Sequence, residues 1–336
     1  ELPAAPYELL DALERLQMPM DGKPDWDILE YNDFPYLHIH LTDECDLFQL
    51  NALADRLARL DERQKAAFEG LFQVEVSKKY GPIQISTIID LAYSTDCCHV
   101  LSEVQNDSQL GRFYAENGFM PELDAIPDSV FQMLDFEMLG RKARMDEGGV
   151  FTSHGYVTQD SDLEQVYDTL DLRLRRPDYA VLMELTNGEH NVSLPLPASH
   201  LMIDNKLKSI GAEAWQNIRF RCLDCAAPAL KDLVDEAVSI THVNRLAQHL
   251  ARLGPEELTK YKAILIAEDP SDINEASRLA GQLDEYMVEP DVRTMPEVAE
   301  NELRIILGDE AAELAPPCDP LAVWGGSAPE VRQYSD

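Results

Sequence analysis

One block of ten residues occurs twice in this chain. Asn51-Ala-Leu-Ala-Asp-Arg-Leu-Ala-Arg-Leu60 matches Asn244-Arg-Leu-Ala-Gln-His-Leu-Ala-Arg-Leu253 without a gap, at an offset of 193. The register continues from Phe68 to Tyr261 and from Leu71 to Ile264, and Leu91-Ala92 is echoed by Leu279-Ala280. Upstream, Leu2-Pro3-Ala4 and Leu196-Pro197-Ala198 each precede an apolar-periodic run, and each run is followed by a Trp, Trp26 or Trp215, in a stretch that reads as extended. Self-similarity of this kind limits a chain to architectures in which one structural plan is built twice. We therefore expect an α+β fold: an elongated, internally duplicated tandem array of small α/β modules and helical bundles.

The helical part of the plan follows from spacing. Leu50, Leu53, Leu57 and Leu60 fall on one helical stripe, as do Val243, Leu246, Leu250 and Leu253. Asp46 is placed to cap the first of these helices. Further helices are predicted from Arg63 to Val76, from Ile85 to Tyr93, and from Asp107-Ser108 to Asn117-Gly118. Tyr179 to Leu185 is β-prone, and Val150 to Val157 reads as a hairpin turning at Ser153-His154-Gly155. The modules expected are 1–45 (α/β, lacking its first strand), 46–118 (helical bundle) and 119–172 (α/β with the hairpin), then 178–228 (α/β, repeat copy), 229–312 (bundle, repeat copy) and 313–336 (irregular tail). The first copy has no counterpart of Tyr179–Leu185, so roughly 15 to 25 further residues are expected upstream in the natural protein.

Charge narrows the function. Among 336 residues, 62 Asp and Glu stand against 28 Lys and Arg, a formal net charge of −34. Such a chain repels phosphate, which argues against direct binding of nucleic acid or of an anionic membrane. No run of 18 apolar residues suggests a membrane span, and no signal peptide opens the chain. A 45% hydrophobic content argues against disorder. Six cysteines are too few for a disulfide framework, which points to a reducing, cytoplasmic location.

Catalytic motifs are absent: no phosphate loop, dinucleotide fingerprint, His-Glu-x-x-His or Gly-x-Ser-x-Gly occurs. Cys222-Leu-Asp-Cys225 lacks the second pair a zinc ribbon needs, although the strand before it leaves a redox reading open. His38 and His40 lie two apart on an expected strand, with no third ligand nearby. No metal or other cofactor is expected.

What remains is where the acids lie. Residues 24–55 hold no Lys or Arg and eight acids, among them Asp25, Asp27, Glu30, Asp33, Asp43, Glu44 and Asp46. Residues 145–172 hold no Lys or Arg and seven acids: Asp146, Glu147, Asp160, Asp162, Glu164, Asp168 and Asp171. Asp284, Glu285, Glu289 and Asp291 stand unopposed between Gly281 and Val292. Duplex DNA carries one charge per 1.7 Å of axis, so a net charge of −34 corresponds to roughly 58 Å of duplex. A folded scaffold holding these carboxylates at fixed separations would present a DNA-like potential to a DNA-binding groove. A halophile surface, acidic and poor in Lys, is the plainer alternative, and the chain carries 10 Lys against 18 Arg.

A set of ordered motifs then adds a resemblance. Leu29-Glu-Tyr-Asn-Asp-Phe34, the Leu-Asn-x-Leu pattern at Leu50–Leu53 and Ser108-Gln-Leu-Gly-Arg-Phe-Tyr-Ala-Glu-Asn-Gly118 come first. Ile126-Pro127, Leu134-Asp-Phe-Glu-Met-Leu-Gly-Arg141 and Gly149-Val-Phe-Thr-Ser-His-Gly-Tyr156 follow. In this order, residues 28–157 resemble the ArdA-type antirestriction proteins, and residues 178–307 share the plan through the internal repeat. The resemblance implies an elongated, often dimeric non-enzyme whose acids imitate B-form DNA and block type I restriction-modification enzymes. The acids named above would be its phosphate-mimicking candidates. Another DNA-targeting effector, such as a CRISPR nuclease, is the alternative target. A cytosolic enzyme or metal protein using Cys222 and Cys225 is the alternative class. The chain departs from the family in carrying a second copy of the plan, and residues 313–336 match the hairpin module poorly.

Overall fold

Leu50, Leu53 and Leu57 are buried on one side of a helix, and Leu60, just beyond its end, is buried as well. A computed structural model describes residues 1–19, 23–42, 45–78, 80–123, 126–212, 218–237, 239–289 and 330–333. The described residues form a mixed α+β fold with twelve helices and two three-stranded antiparallel sheets. The chain divides into two units: residues 1–4 with 23–173, and residues 5–22 with 174–336.

In chain order the first helices are α1 (Pro6–Arg15), α2 (Leu47–Ala58), α3 (Glu62–Lys78), α4 (Ile85–Tyr93) and α5 (Asp107–Glu116). The last four match the helices expected from spacing. Asp46 caps α2 by accepting from Phe48 N at 2.8 Å, while Gln49 Oε1 accepts from Asp46 N at 2.9 Å. Leu50, Leu53 and Leu57 of α2, Phe68, Leu71 and Phe72 of α3, and Ile88, Ile89 and Leu91 of α4 form the core of the first unit. Burying a side chain of this kind contributes about 1.5–3 kcal/mol.

Two readings of the first unit need correction. His38 and His40 do not lie on a strand: Pro35–Ile39 is a 3-10 helix opened by its proline. His40 is buried, accepts from Ile83 N at 3.0 Å and meets the Phe72 ring edge-on. Second, the run 46–118 is not all helix, because strand β1 (Cys98–Leu101) interrupts it.

The expected hairpin is present as β2 (Val150–Thr152) and β3 (Gly155–Gln159). The sheet order is β1-β3-β2, with Val100 opposite Val157 and Phe151 opposite Tyr156. Gly155 turns the hairpin at φ +135°, and a Cβ there would stand 2.4 Å from Leu101 O. Between α5 and the hairpin come α6 (Asp128–Phe131) and α7 (Phe136–Glu147). Helices α5 and α7 meet glycine to glycine. A Cβ on Gly111 would lie 1.9 Å from Phe136 O, and one on Gly140 would lie 1.8 Å from Asp107 O. Arg144 closes the crossing with bonds of 2.8 and 3.2 Å to the Asp107 carboxylate.

The second unit contains β4 (Val181–Asn187), β5 (His190–Leu196) and β6 (Arg219–Cys225), in the order β5-β4-β6. Val181, Met183 and Leu185 alternate inward, as a half-buried strand requires. Its helices are α8 (His200–Ser209), α9 (Lys231–Asp235), α10 (Ile240–Leu250), α11 (Pro255–Glu268) and α12 (Ile273–Ala280). Strand β7 (Tyr286–Glu289) pairs with β8 (Glu330–Gln333). The segment 313–336, expected to be irregular, therefore contains a strand. Trp215 lies outside the described residues.

The repeated sequence blocks have matching local geometry. Asn51 brackets Ala4, its Oδ1 accepting from Ala4 N at 2.7 Å and its Nδ2 donating to Ala4 O at 3.1 Å. Asn244 brackets Ala198 in the same way, at 2.8 and 2.9 Å. Each alanine follows a cis X–Pro bond, Leu2-Pro3 or Leu196-Pro197. The paired positions Phe68 and Tyr261, Leu71 and Ile264, and Leu91 and Leu279 are all buried.

Candidate functional site

The acids fall into two groups, those engaged by the fold and those left to solvent. In residues 24–33 three apolar side chains turn inward between the acids, while Leu29 stays exposed. Trp26, Ile28 and Tyr31 pack on the first core, and Trp26 Nε1 donates to Cys45 O at 3.2 Å. Asp25, Asp27 and Glu30 are exposed and make no ion pair among the described residues. Asp33 is different: Lys65 Nζ sits 2.8 Å from its carboxylate and 2.8 Å from that of Glu62. The Lys65 hydrogen bond holds the Asp33 carboxyl below the usual range. Asp46 is occupied as the cap of α2. Asp43 and Glu44 lie outside the described residues.

The second acidic stretch begins at the end of α7. Asp146 is exposed. Glu147 accepts from Tyr114 Oη at 2.8 Å and Tyr156 Oη at 3.0 Å. Burial, reinforced by this carboxylate, raises both phenols above their ordinary pKa.

Beyond β3, residues 160–171 form a strap across α4 and the 3-10 turn that follows it. Asp160 N donates to Cys97 O at 3.0 Å, and Glu164 N to Ser94 Oγ at 2.9 Å. Val166 N and Tyr167 N both donate to Asp90 Oδ1, at 2.8 and 2.7 Å. Leu163, Tyr167 and Leu170 pack on the core. The side chains between them, Asp160, Asp162, Glu164, Asp168 and Asp171, are exposed. Asp160 lies 3.1 Å from His99, and Asp171 lies 3.8 Å from Arg173. Asp162, Glu164 and Asp168 make no ion pair among the described residues. Residues two apart on a chain stand at most about 7 Å apart, so the strap carries a short, closely spaced row of negative charge. Gln49 Nε2 donates to Tyr167 Oη, which ties the strap to the capped end of α2.

In the second unit Asp284 and Glu285 are exposed, and Glu285 accepts twice from Gln282 Nε2, at 2.9 and 3.1 Å. The Glu289 side chain and Asp291 lie outside the described residues. Over residues 23–173 there are 29 Asp and Glu against 12 Lys and Arg, a net charge of −17, half that of the whole chain.

Sequence reasoning missed the group that organises the strap. Asp90 sits inside a predicted helix, and only its pairing with backbone 76 and 77 residues away reveals a role. A cleft of about 320 Å³ brings together Asp33, Lys65, Glu69, Ser153 and His154. Ser153 Oγ donates to Glu69 Oε2 at 2.8 Å and also lies 2.9 Å from His154 Nδ1. His154 Nδ1 also lies 3.4 Å from Glu69 Oε2, so one ring nitrogen faces both serine and acid, whereas a catalytic triad turns its two ring nitrogens to the two groups separately.

Both Cys222 and Cys225 lie within β6 and are buried. Burial first, then nearby Asp235, pushes the Cys222 thiol up to about 12, and burial raises Cys225 as well. Metal binding and redox exchange use the thiolate, which this environment disfavours. No helix among the described residues is long and apolar enough to cross a membrane.

Comparison with known proteins gives one match. Residues 1–158 match the family model of the antirestriction protein (ArdA). Searches of curated proteins and of solved structures returned no match to the chain.

Proposed function

We propose that this protein is an antirestriction DNA mimic that occupies the DNA-binding groove of a type I restriction-modification enzyme. The observation that carries this reading is the antirestriction match over residues 1–158, which covers the first unit up to the strap; that unit holds about half the net charge. The mimicry itself is supported by how the acids are held. Asp25, Asp27, Glu30, Asp162, Glu164 and Asp168 project from segments whose apolar side chains pack on the core. Among the described residues, they keep their spacing without a cation of their own.

The protein performs no chemistry in this reading and needs no cofactor. Its carboxylates take the place of phosphates, and counterions released on binding drive association as they do for DNA. We further read the chain as a tandem pair of one plan. The two asparagine brackets and the buried paired positions support this.

The test is inhibition of a purified type I restriction-modification enzyme. Cleavage or methylation should fall with added protein, recover with competing duplex, and show inhibition that weakens steeply between about 50 and 200 mM salt. Unchanged enzyme activity at micromolar protein would refute the target. Inhibition insensitive to salt would refute the mimicry.

A further inference from the structure

The acids of this chain leave one region free. Residues 174–255 hold nine Lys and Arg against nine Asp and Glu, so this stretch is neutral within a net charge of −34, and it carries four of the eight histidines. Two runs inside it, 190–203 and 237–255, contain no Asp or Glu. The bracket between Asn244 and Ala198, at 2.8 and 2.9 Å, joins these two runs.

The surface at this junction is the outer face of α10. Val243, Leu246, Ala247 and Leu250 bury one side of the helix in the core of the second unit. His242, Arg245, His249 and, on the turn that ends the helix, Arg252 follow at spacings of three, four and three. At 100° and 1.5 Å per residue they fall within about 80° of one another and run for about 15 Å. Arg245 and Arg252 are exposed and make no ion pair among the described residues. Arg176 reaches the same end of the helix, its Nη2 donating to Leu253 O at 3.5 Å. Leu201, three residues beyond the bracketed Ala198, is 70% exposed. The matched block in the first unit treats these positions differently. There α2 carries Gln49, Ala52, Arg56 and Arg59, with Asp55 where α10 carries Gln248. Arg59 is neutralised by Asp55 at 2.6 Å, and Arg56 donates to Ala92 O at 2.9 Å and lies over the Tyr93 ring. Such a helix therefore packs without free cations on this face. Relative to α2, α10 gains Arg245 and lacks the acid that would neutralise Arg252.

We propose that the outer face of α10 is a docking surface for an acidic helix of a partner protein. Charge density separates this partner from nucleic acid. Over about 15 Å, duplex DNA presents about nine charges. Against them α10 sets two arginines and two histidines, and the rest of the chain repels a polyanion. An acidic helix matches the face instead. Carboxylates seven residues apart on it stand about 10.5 Å apart along its axis, the same rise that separates Arg245 from Arg252. Each guanidinium can take one carboxylate through two parallel hydrogen bonds. The three-four-three spacing reads the same from either end, so a parallel or an antiparallel helix meets the same cations. Leu201 offers an apolar contact beside them, which a mixed polar and apolar helix surface uses. The surface lies in the second unit, outside the 1–158 match, and the proposal does not rest on the DNA-mimic reading.

Fluorescence anisotropy on the full-length chain tests it. The probe is a labelled Ala-rich helical peptide of about 20 residues whose four Glu follow the same three-four-three spacing. A control peptide has the same composition with its four Glu spread around the helix. Wild type should bind the first peptide saturably and the control about tenfold more weakly or worse. Arg245→Glu with Arg252→Glu should weaken the first peptide about tenfold or more. Lys206→Glu with Lys208→Glu on α8 changes the net charge equally and should weaken it less than about threefold. No saturable binding to wild type overturns the proposal, and so does equal binding of the two peptides or equal loss in the two variants. A short DNA duplex that displaces the peptide from wild type overturns it in favour of nucleic acid. Self-association by sedimentation that disappears in the R245E/R252E variant overturns it in favour of a second copy of the chain. Should circular dichroism show that R245E/R252E does not fold, Arg245→Gln alone carries the same comparison, with Lys208→Gln as its control.

Discussion

Replacing Asp90 by Ala should loosen the acidic strap while leaving the helices beneath it in place. The Asp90 carboxylate accepts from Val166 N at 2.8 Å and Tyr167 N at 2.7 Å through one oxygen. A hydrogen bond to a charged group contributes about 1.5–3 kcal/mol. The strap is only part-buried, so water replaces some of what is removed, and the two bonds together are worth about 2–4 kcal/mol. Since about 1.4 kcal/mol is a factor of ten, amides in the strap should exchange roughly 30-fold faster or more. Asp90→Asn keeps an acceptor oxygen in place and should show less than half of that effect in free energy. Hydrogen exchange read by mass spectrometry over peptides covering 160–172 is the assay, with peptides from α2 and α3 as internal controls. Equal strap protection in D90A and wild type would refute the assignment. The apolar anchors Leu163, Tyr167 and Leu170 would then be sufficient by themselves.

Four further outcomes follow. In the inhibition assay, D162N/E164Q/D168N should reduce the slope of log affinity against log salt by about 0.9 for each phosphate-like carboxylate removed, up to about 2.7 in all; an unchanged slope would show that the strap does not face the partner. Gly111→Ala or Gly140→Ala drives a Cβ into backbone at 1.9 or 1.8 Å and should cost about 1–3 kcal/mol or more, seen as a lower urea midpoint. Burial, then the neighbouring His38, lowers the pKa of His40, so the unfolded chain binds the proton more readily; its contribution is complete above about pH 6.5 and declines as pH falls below that value, which urea titrations of wild type and His40→Gln at about pH 7.5 and 5.5 can compare. Cys222, with its thiol raised to about 12, should resist iodoacetamide in the native chain at about pH 8 and react once unfolded.

Local order is legible in the sequence, whereas what depends on distant partners is not. Helices α2, α3, α4, α5 and α10 follow from leucine spacing, caps and breakers, all of which act within one or two turns. The hairpin Val150–Gln159 follows from its turn residues. Strand β1 leaves no such mark, because Cys98–Leu101 is four residues long and is a strand only through pairing with Gly155–Gln159. The histidines at 38 and 40 read as a strand face, because two-residue spacing carries no sign of the turn that Pro35 starts. At the candidate surface, the sequence tells that residues 145–172 are acidic and free of Lys and Arg. It does not tell that Asp160–Asp171 is ordered. That order comes from backbone bonds to Asp90, Ser94 and Cys97, all of which precede the hairpin by more than 50 residues.

The load of acid on this chain makes physical sense once the carboxylates are sorted by what they touch. Several serve the fold: Asp46, Asp135 and Asp272 cap helices, Asp90 anchors the strap, Asp107 clamps Arg144, and Asp224 is buried under Tyr179. Removing any of these leaves backbone or side-chain donors without a partner. Asp25, Asp27, Glu30, Asp162, Glu164 and Asp168 serve no such purpose among the described residues. Mutual repulsion among them works against the compact state. A fold gains nothing from such a group, yet here each member sits on a segment whose apolar residues fix its direction. Stability alone would be met as well by neutral side chains at these positions. In the function proposed above, their negative charge is directed outward, at a cationic partner. Loss of charge there should leave stability equal or higher while binding weakens, whereas in the first group stability falls first.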